Sequence, residues 1–195
     1  MSITGFSPTE FIAKSDALGG LAKTWKYGVQ IIPPSGMSNS AADNIEFLAA
    51  SATFPGKSFG TTEHRTYGIT RTLPYEQTYE PIDIVFWNTN DFSPKRFWDD
   101  WLNLISNPNT YNMTYYKNMI GRIILSHYSD DTEVPTGAGN YSCTLFEAYP
   151  TSISTIDVGW ENSEIMKFTV SIRYKNWKQG YRTGGGYHTG KGNIK

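Results

Sequence analysis

Runs in which apolar and polar residues alternate one by one recur along this chain, and they limit its fold more than any other feature. Trp25, Tyr27, Val29 and Ile31 alternate with Lys26, Gly28 and Gln30. Ile82, Ile84 and Phe86 alternate with Asp83, Val85 and Trp87. Met166, Phe168, Val170, Ile172 and Tyr174 alternate with Lys167, Thr169, Ser171, Arg173 and Lys175. A period of two gives each face of a pleated strand its own set of side chains. Further strands are expected at 45–53, 119–128, 142–148 and 152–158, with Pro150 breaking the run before the last.

Only one segment has a strong helical period. Phe97, Trp98, Trp101, Leu102 and Ile105 recur at spacings of three and four, which makes one apolar stripe. Ser93 suits the N-cap and Pro94 the first helical position. A weaker helix is expected over 8–22, and 35–44 reads as a polar loop. Strands dominate and do not alternate with helices, which argues against a parallel α/β sheet. The expected fold is mainly β: an antiparallel β-sandwich or barrel with one flanking α-helix. Residues 1–180 form a single domain, and 181–195 a Gly-rich C-terminal tail that composition marks as flexible.

The segment 57–80 does not fit an ordinary core. On an extended chain Glu63, Arg65, Tyr67, Ile69, Arg71 and Leu73 share one face, and His64, Thr66, Gly68, Thr70 and Thr72 the other. Neither face is apolar enough to be buried. A strand or hairpin of this kind needs another surface to pair with, or it becomes an edge liability.

Composition narrows the function. The net charge of −1 and the absence of basic runs give no sign of a nucleic-acid clamp or an anionic membrane partner. The single cysteine, Cys143, precludes an internal disulfide and, within an alternating run, reads as a buried structural thiol. No window approaches a membrane span, and residues 1–9 lack the features of a signal peptide, so folding in a cytoplasm is expected. The aromatics, 6 Trp, 13 Tyr and 10 Phe, suit either a β core or an interface.

Catalytic machinery is missing from the pattern. His64, His127 and His188 stand at no metal-ligand spacing. There is no Gly-x-Ser-x-Gly elbow, and the glycine clusters lack the Lys-Ser/Thr of a phosphate loop. Asp99/Asp100 and Asp130/Asp131 read as a helix face and a turn. Glu147 and Asp157 are strand-borne acids whose separation the sequence does not define. No catalytic residue, cofactor or metal is expected. Trp87, Tyr111, Tyr115 and Tyr116 keep open a second class, a carbohydrate- or nucleic-acid-binding β module that stacks ligands on exposed rings.

Several segments taken in order resemble the tail tube proteins of contractile-tailed bacteriophages. The likeness is strongest from Phe146, Glu147, Ala148, Tyr149 and Pro150 through Ile156, Asp157, Val158, Gly159 and Trp160, and runs on to Trp177. Phe54-Pro55-Gly56, an Arg-bearing hairpin, a strand to Trp87, then Asn90-Asp91-Phe92 entering a helix make a second stretch. Together they span about residues 20–178. The resemblance implies hexameric rings whose sheets join into a shared inner β-barrel, and rings that stack into a tube through which DNA passes without sequence-specific binding. It implies partners in the tail sheath and baseplate, no membrane partner, and a place in the virion tail after assembly in the host cytoplasm. On that basis Arg65, Tyr67, Arg71, Tyr149, Asp157 and Trp160 are expected at subunit interfaces, and Glu63, Thr66, Thr70 and Thr72 toward the lumen. The 35–44 loop and the 181–195 tail leave open a tube initiator or baseplate ring protein, or the tube of an injection system.

Overall fold

The computed structural model describes residues 7–17, 20–128, 141–161, 164–183 and 186–189. In chain order these form α1 (Pro8–Ala17), β1 (Tyr27–Ile32), α2 (Asn39–Glu46), β2 (Ala49–Ala52), β3 (Ser58–His64), β4 (Arg71–Thr78), β5 (Ile82–Trp87), α3 (Ser93–Ile105), α4 (Tyr116–Met119), β6 (Gly121–His127), β7 (Tyr141–Ile153), β8 (Lys167–Arg173), β9 (Asn176–Thr183) and β10 (Gly186–Thr189). The loop holding Asp130, Asp131, Gly137 and Gly139 lies outside the described residues.

Two antiparallel sheets face each other and share β7. The first half of β7 pairs with β6 on one side and β9 on the other, while β1 extends the sheet beyond β6 and β10 beyond β9. The second half pairs with β8, followed by β5 and β2. β1 and β2 approach through a Tyr27 hydroxyl donated to the Ala49 carbonyl at 2.9 Å, without pairing as strands. The single chain is thus a sandwich, and no closed barrel forms within the described residues.

The alternation sorts the faces as expected. Val29, Ile31, Ile123, Leu125, Cys143 and Leu145 point inward from one sheet; Ile82, Ile84, Phe86, Phe168, Val170 and Ile172 do so from the other. Burial of this kind stabilises by about 25 cal/mol per Å² of apolar surface removed from water. α3 closes the sandwich with Phe97, Trp98 and Trp101, all buried. The Phe86 ring lies 5.4 Å from Trp98 and 5.8 Å from Phe168.

In several places the fold departs from what local sequence predicts. The 35–44 loop contains most of α2, because Ala42 and Ile45, three apart, bury one helical face. The strand expected at 45–53 shrinks to β2 for the same reason. The helix expected over 8–22 ends at Ala17 and buries none of its residues. Residue 119 belongs to α4, and β6 starts only at Gly121. The N-cap of α3 is Phe92, at φ 57, and not Ser93. The capping acceptor is Asp91, whose Oδ1 takes the Ser93 amide at 3.4 Å and the Ser93 hydroxyl at 3.2 Å.

Pro150 does not end a strand. β7 runs through it because this half of β7 is an edge, where a missing N–H removes no ladder bond; a bulge follows between Pro150 and Ser152. β7 stops at Ile153, so no strand fills 154–158. Past residue 180, β9 continues to Thr183 and pairs with β10, so strand structure extends into the segment whose composition reads as a flexible tail.

Candidate assembly surface

The corner that joins the two sheets is Glu147. It has φ 53, a left-handed conformation unusual for a side chain of this kind, where β7 leaves one sheet for the other. Lys175 holds it in two ways. Lys175 Nζ donates to Glu147 Oε1 at 2.7 Å, and the Lys175 amide donates to the Phe146 carbonyl at 3.1 Å. The Lys175 hydrogen bond, with a second from the Tyr116 hydroxyl, holds the Glu147 carboxyl below its ordinary range. The Tyr116 hydroxyl is pushed up to about 12, by burial first and then by Glu147. Tyr149 is half-buried and meets Tyr116 edge-on at 6.4 Å, so part of its ring is engaged within the chain.

β3 and β4 stand apart from the sandwich. Among the described residues they pair only with each other, from Ser58↔Thr78 to His64↔Arg71, and every one of their residues is exposed. Two turns of chemistry create this hairpin. Gly68, at φ 78, supplies the left-handed residue of the tip, and the β-branched and aromatic residues on either side favour extended backbone. Folding back changes the faces expected for an extended chain, since directly opposed residues share a face. Glu63 stands opposite Thr72, and His64 opposite Arg71. Thus Glu63 and Thr72 share one face while Arg71 moves to the other. Arg65, Thr66, Tyr67 and Thr70 lie in the connection between the strands, with Tyr67 at 95% exposure.

The hairpin root is firm. The Trp177 Nε1–H donates to the Gly56 carbonyl at 3.1 Å, and the Lys57 ammonium sits 5.2 Å from the same ring centroid. The Tyr79 and Tyr174 rings meet at 6.0 Å.

Asp157 and Trp160 belong to a second exposed segment, between β7 and β8. Trp160 is 107% exposed, and Val158 and Ile165 of the same connection are exposed too. Glu147 and Asp157 therefore stand at opposite ends of β8 and make no acid/base pair. Among the described residues, no three His, Cys, Asp or Glu side chains converge as a metal site. The His127 ring nitrogen Nε2 contacts the Lys23 carbonyl at 2.7 Å. Tyr111 and Tyr115 are exposed. No described helix is long and apolar enough to cross a membrane.

This arrangement, a shared-strand sandwich with an outlying hairpin, has relatives. Residues 22–180 match the family model described as phage tail tube protein. The chain belongs to the phage tail tube protein family. The match covers the sandwich, the hairpin and α3, and reaches the middle of β9. No curated protein matches significantly. Among solved structures, a chain of the anti-feeding prophage cap, the tube terminating cap, is 16% identical with a TM-score of 0.62, covering 93% of this chain and 100% of that one. A chain of the anti-feeding prophage baseplate is 11% identical with a TM-score of 0.60, covering 82% and 95%. A chain from the sheath/tube terminator of an extracellular contractile injection system, in its extended state, is 15% identical with a TM-score of 0.58, covering 82% and 96%. At these identities the likeness is one of fold. The tail tube family thus shares its sandwich with components of contractile injection particles.

Proposed function

We propose that this chain is a structural subunit of a contractile tail tube, assembling into hexameric rings that stack around a channel through which DNA passes. The observation that carries this reading is the β3–β4 hairpin. A two-stranded ribbon with no buried residue is marginal alone in water, yet this one is anchored at its root and presents Tyr67, Ile69 and Tyr75 to solvent. Such a ribbon gains stability when a neighbouring copy covers it. Arg65, Tyr67 and Arg71 are assigned to that contact. Glu63, Thr66, Thr70 and Thr72 are assigned to the lumen, and Glu63 and Thr72 sharing one face supports this. Tyr149, Asp157 and Trp160 are further contacts between subunits. Closing a ring also gives the free edges of β1, β2 and β10 partners. The chain would join sheath and baseplate proteins in the virion tail, assembled in the host cytoplasm.

A ring at one end of the tube, an initiator or terminator, is a second reading, favoured by the likeness to chains of cap and baseplate assemblies. Negative-stain electron microscopy with mass measurement tests both. Stacked rings support the tube subunit. Single rings that shorten or seed tubes of another subunit support the end ring. A monomer at all concentrations, even with tube seeds present, overturns both.

A further inference from the structure

We infer that Glu46 is a displaceable guard on the free edge of β1: it closes that edge in the unassembled chain and gives way to a strand of a second copy. The inference rests on the ring reading and specifies what regulates the joint between copies.

Backbone geometry identifies the edge. The Tyr128 amide donates to the Lys26 carbonyl. Backbone groups alternate in direction along an antiparallel strand. Gly28, Gln30 and Ile32 therefore ladder with β6, while Tyr27, Val29 and Ile31 turn their backbone groups to the free edge. Such an edge is a template for pairing with another chain. Two side chains block it here. The Ile31 amide donates to Glu46 Oε1 at 2.6 Å. Across the gap, the Ala49 carbonyl of β2 accepts the Tyr27 hydroxyl at 2.9 Å. No strand can add at Ile31 while the Glu46 carboxylate holds that amide.

The guard is poised to leave. Glu46 is half-buried: burial pushes its carboxyl up, the Ile31 hydrogen bond pulls it down, and Asp43 pushes it up again. Glu46 is also the last residue of α2, where the helix dipole disfavours a carboxylate. A backbone carbonyl on an added strand can take over the Ile31 amide, and the freed carboxylate then regains its water. The surroundings suit a second copy. β1 and β10 are the outermost strands of one sheet, so a joint that continues this sheet from copy to copy falls on β1 of one of them. A groove of about 810 Å³ lies beside this edge, with Trp25, Gly28, Glu46 and Phe47 in its walls. Trp25 is 66% exposed and Phe47 90%. They offer apolar surface to the side chains of an added strand, while the backbone ladder supplies the affinity.

Hydrogen exchange and the concentration threshold for assembly test the guard on the full chain. Glu46→Ala is expected to speed exchange of the Ile31 amide in the unassembled chain and to lower the threshold for rings, each by about tenfold or more, the worth of a hydrogen bond to a charged group. Glu46→Gln keeps an acceptor without the charge, and its threshold should fall between. Asp43→Asn removes a like charge three residues from the guard and should raise the threshold by about twofold. In assembled rings the Ile31 amide is expected to be protected in the parent and in Glu46→Ala alike, because the neighbour's strand now supplies the acceptor. Circular dichroism checks each fold; where Glu46→Ala loses it, the Glu46→Gln and Asp43→Asn thresholds decide, and no shift in either overturns the guard. Fast Ile31 exchange in Glu46→Ala rings would show that Glu46 stays in place after assembly, which also overturns it. Rings at an unchanged threshold in a folded Glu46→Ala leave the ring reading standing and remove the guard. A chain that forms no ring in the parent or any variant overturns both.

Discussion

Gly121 lies so close to the Trp101 ring that a Cβ on it would stand 2.7 Å from the ring edge and 2.6 Å from the Ile32 carbonyl oxygen. The ring is held there from the other side, since its Nε1–H donates to the Met119 carbonyl at 2.9 Å. β6 therefore begins where only glycine fits between a helix and an edge strand. Gly121→Ala is expected to destabilise the chain by about 1–3 kcal/mol through overpacking. Trp101→Ala is expected to cost about 3–5 kcal/mol through the cavity it leaves. Urea unfolding measures both; midpoints equal to the parent's would mean that this contact does not hold α3 in place.

The Glu147 corner makes a different prediction. Glycine adopts its backbone conformation without penalty, so Glu147→Gly is expected to be less destabilising than Glu147→Ala by about 1 kcal/mol, though both lose the Lys175 pair. A reversed order in thermal melts would remove strain from the account. Because Lys175 holds the carboxyl below its ordinary range, the pair's contribution is complete above the ordinary glutamate value and fades as pH falls through the lowered one. The pair is exposed and therefore screened. Acid titration of stability in Glu147→Gln should show a shallower slope than in the parent.

Tyr116 and Tyr141 are both pushed up to about 12. Burial is the first cause for each, followed by Glu147 for Tyr116 and Cys143 for Tyr141. A folded pKa above the ordinary 10.0 gives a contribution that is complete below pH 10.0 and lost as pH rises toward 12. Tyrosinate absorbance should therefore show Tyr116 and Tyr141 among the late-titrating rings while the fold persists, together with Tyr27 and Tyr174, which burial also raises. Glu147→Gln should bring Tyr116 forward and leave Tyr141 in place; movement of both, or of neither, would count against the Glu147 contact.

Replacing residues 60–75 with a short Gly-Ser turn removes the exposed part of the hairpin. The melting temperature is expected to stay within a few degrees of the parent, because no residue of β3 or β4 is buried. Assembly seen by electron microscopy is expected to be lost. A large drop in melting temperature would show that the hairpin supports the sandwich itself.

Much of the fold was legible because period two and the aromatic stripe are local signals. The pairs Ile84↔Val170 and Phe86↔Phe168 join two runs whose alternation was plain in advance, and Trp98 and Trp101 lie where their spacing put them. The α2 helix was hidden because Ser38, Asn39, Ser40 and Asn44 mask the short Ala42/Ile45 face. Pro150 misled because whether a proline breaks a strand depends on which side the ladder lies. Of the residues proposed for assembly, the exposure of Tyr67 agrees with a segment neither of whose faces is apolar enough to be buried, whereas Trp160 was singled out by the resemblance alone. The pairing of Glu63 with Thr72 did not follow from the sequence, since the turn position had to be known.

The order of side chains along each strand is written in the sequence, because alternation and stripe depend only on neighbours along the chain. So is membership of the tail tube family, which rests on motifs in a set order. Strand partners are not, because hydrogen-bonded ladders join residues far apart, and several registers bury similar apolar area until every strand is in place. Only the folded chain decided that β7 serves two sheets, that Glu147 turns the corner between them, and that the root of the β3–β4 hairpin and the segment between β7 and β8 lie at opposite ends of β5.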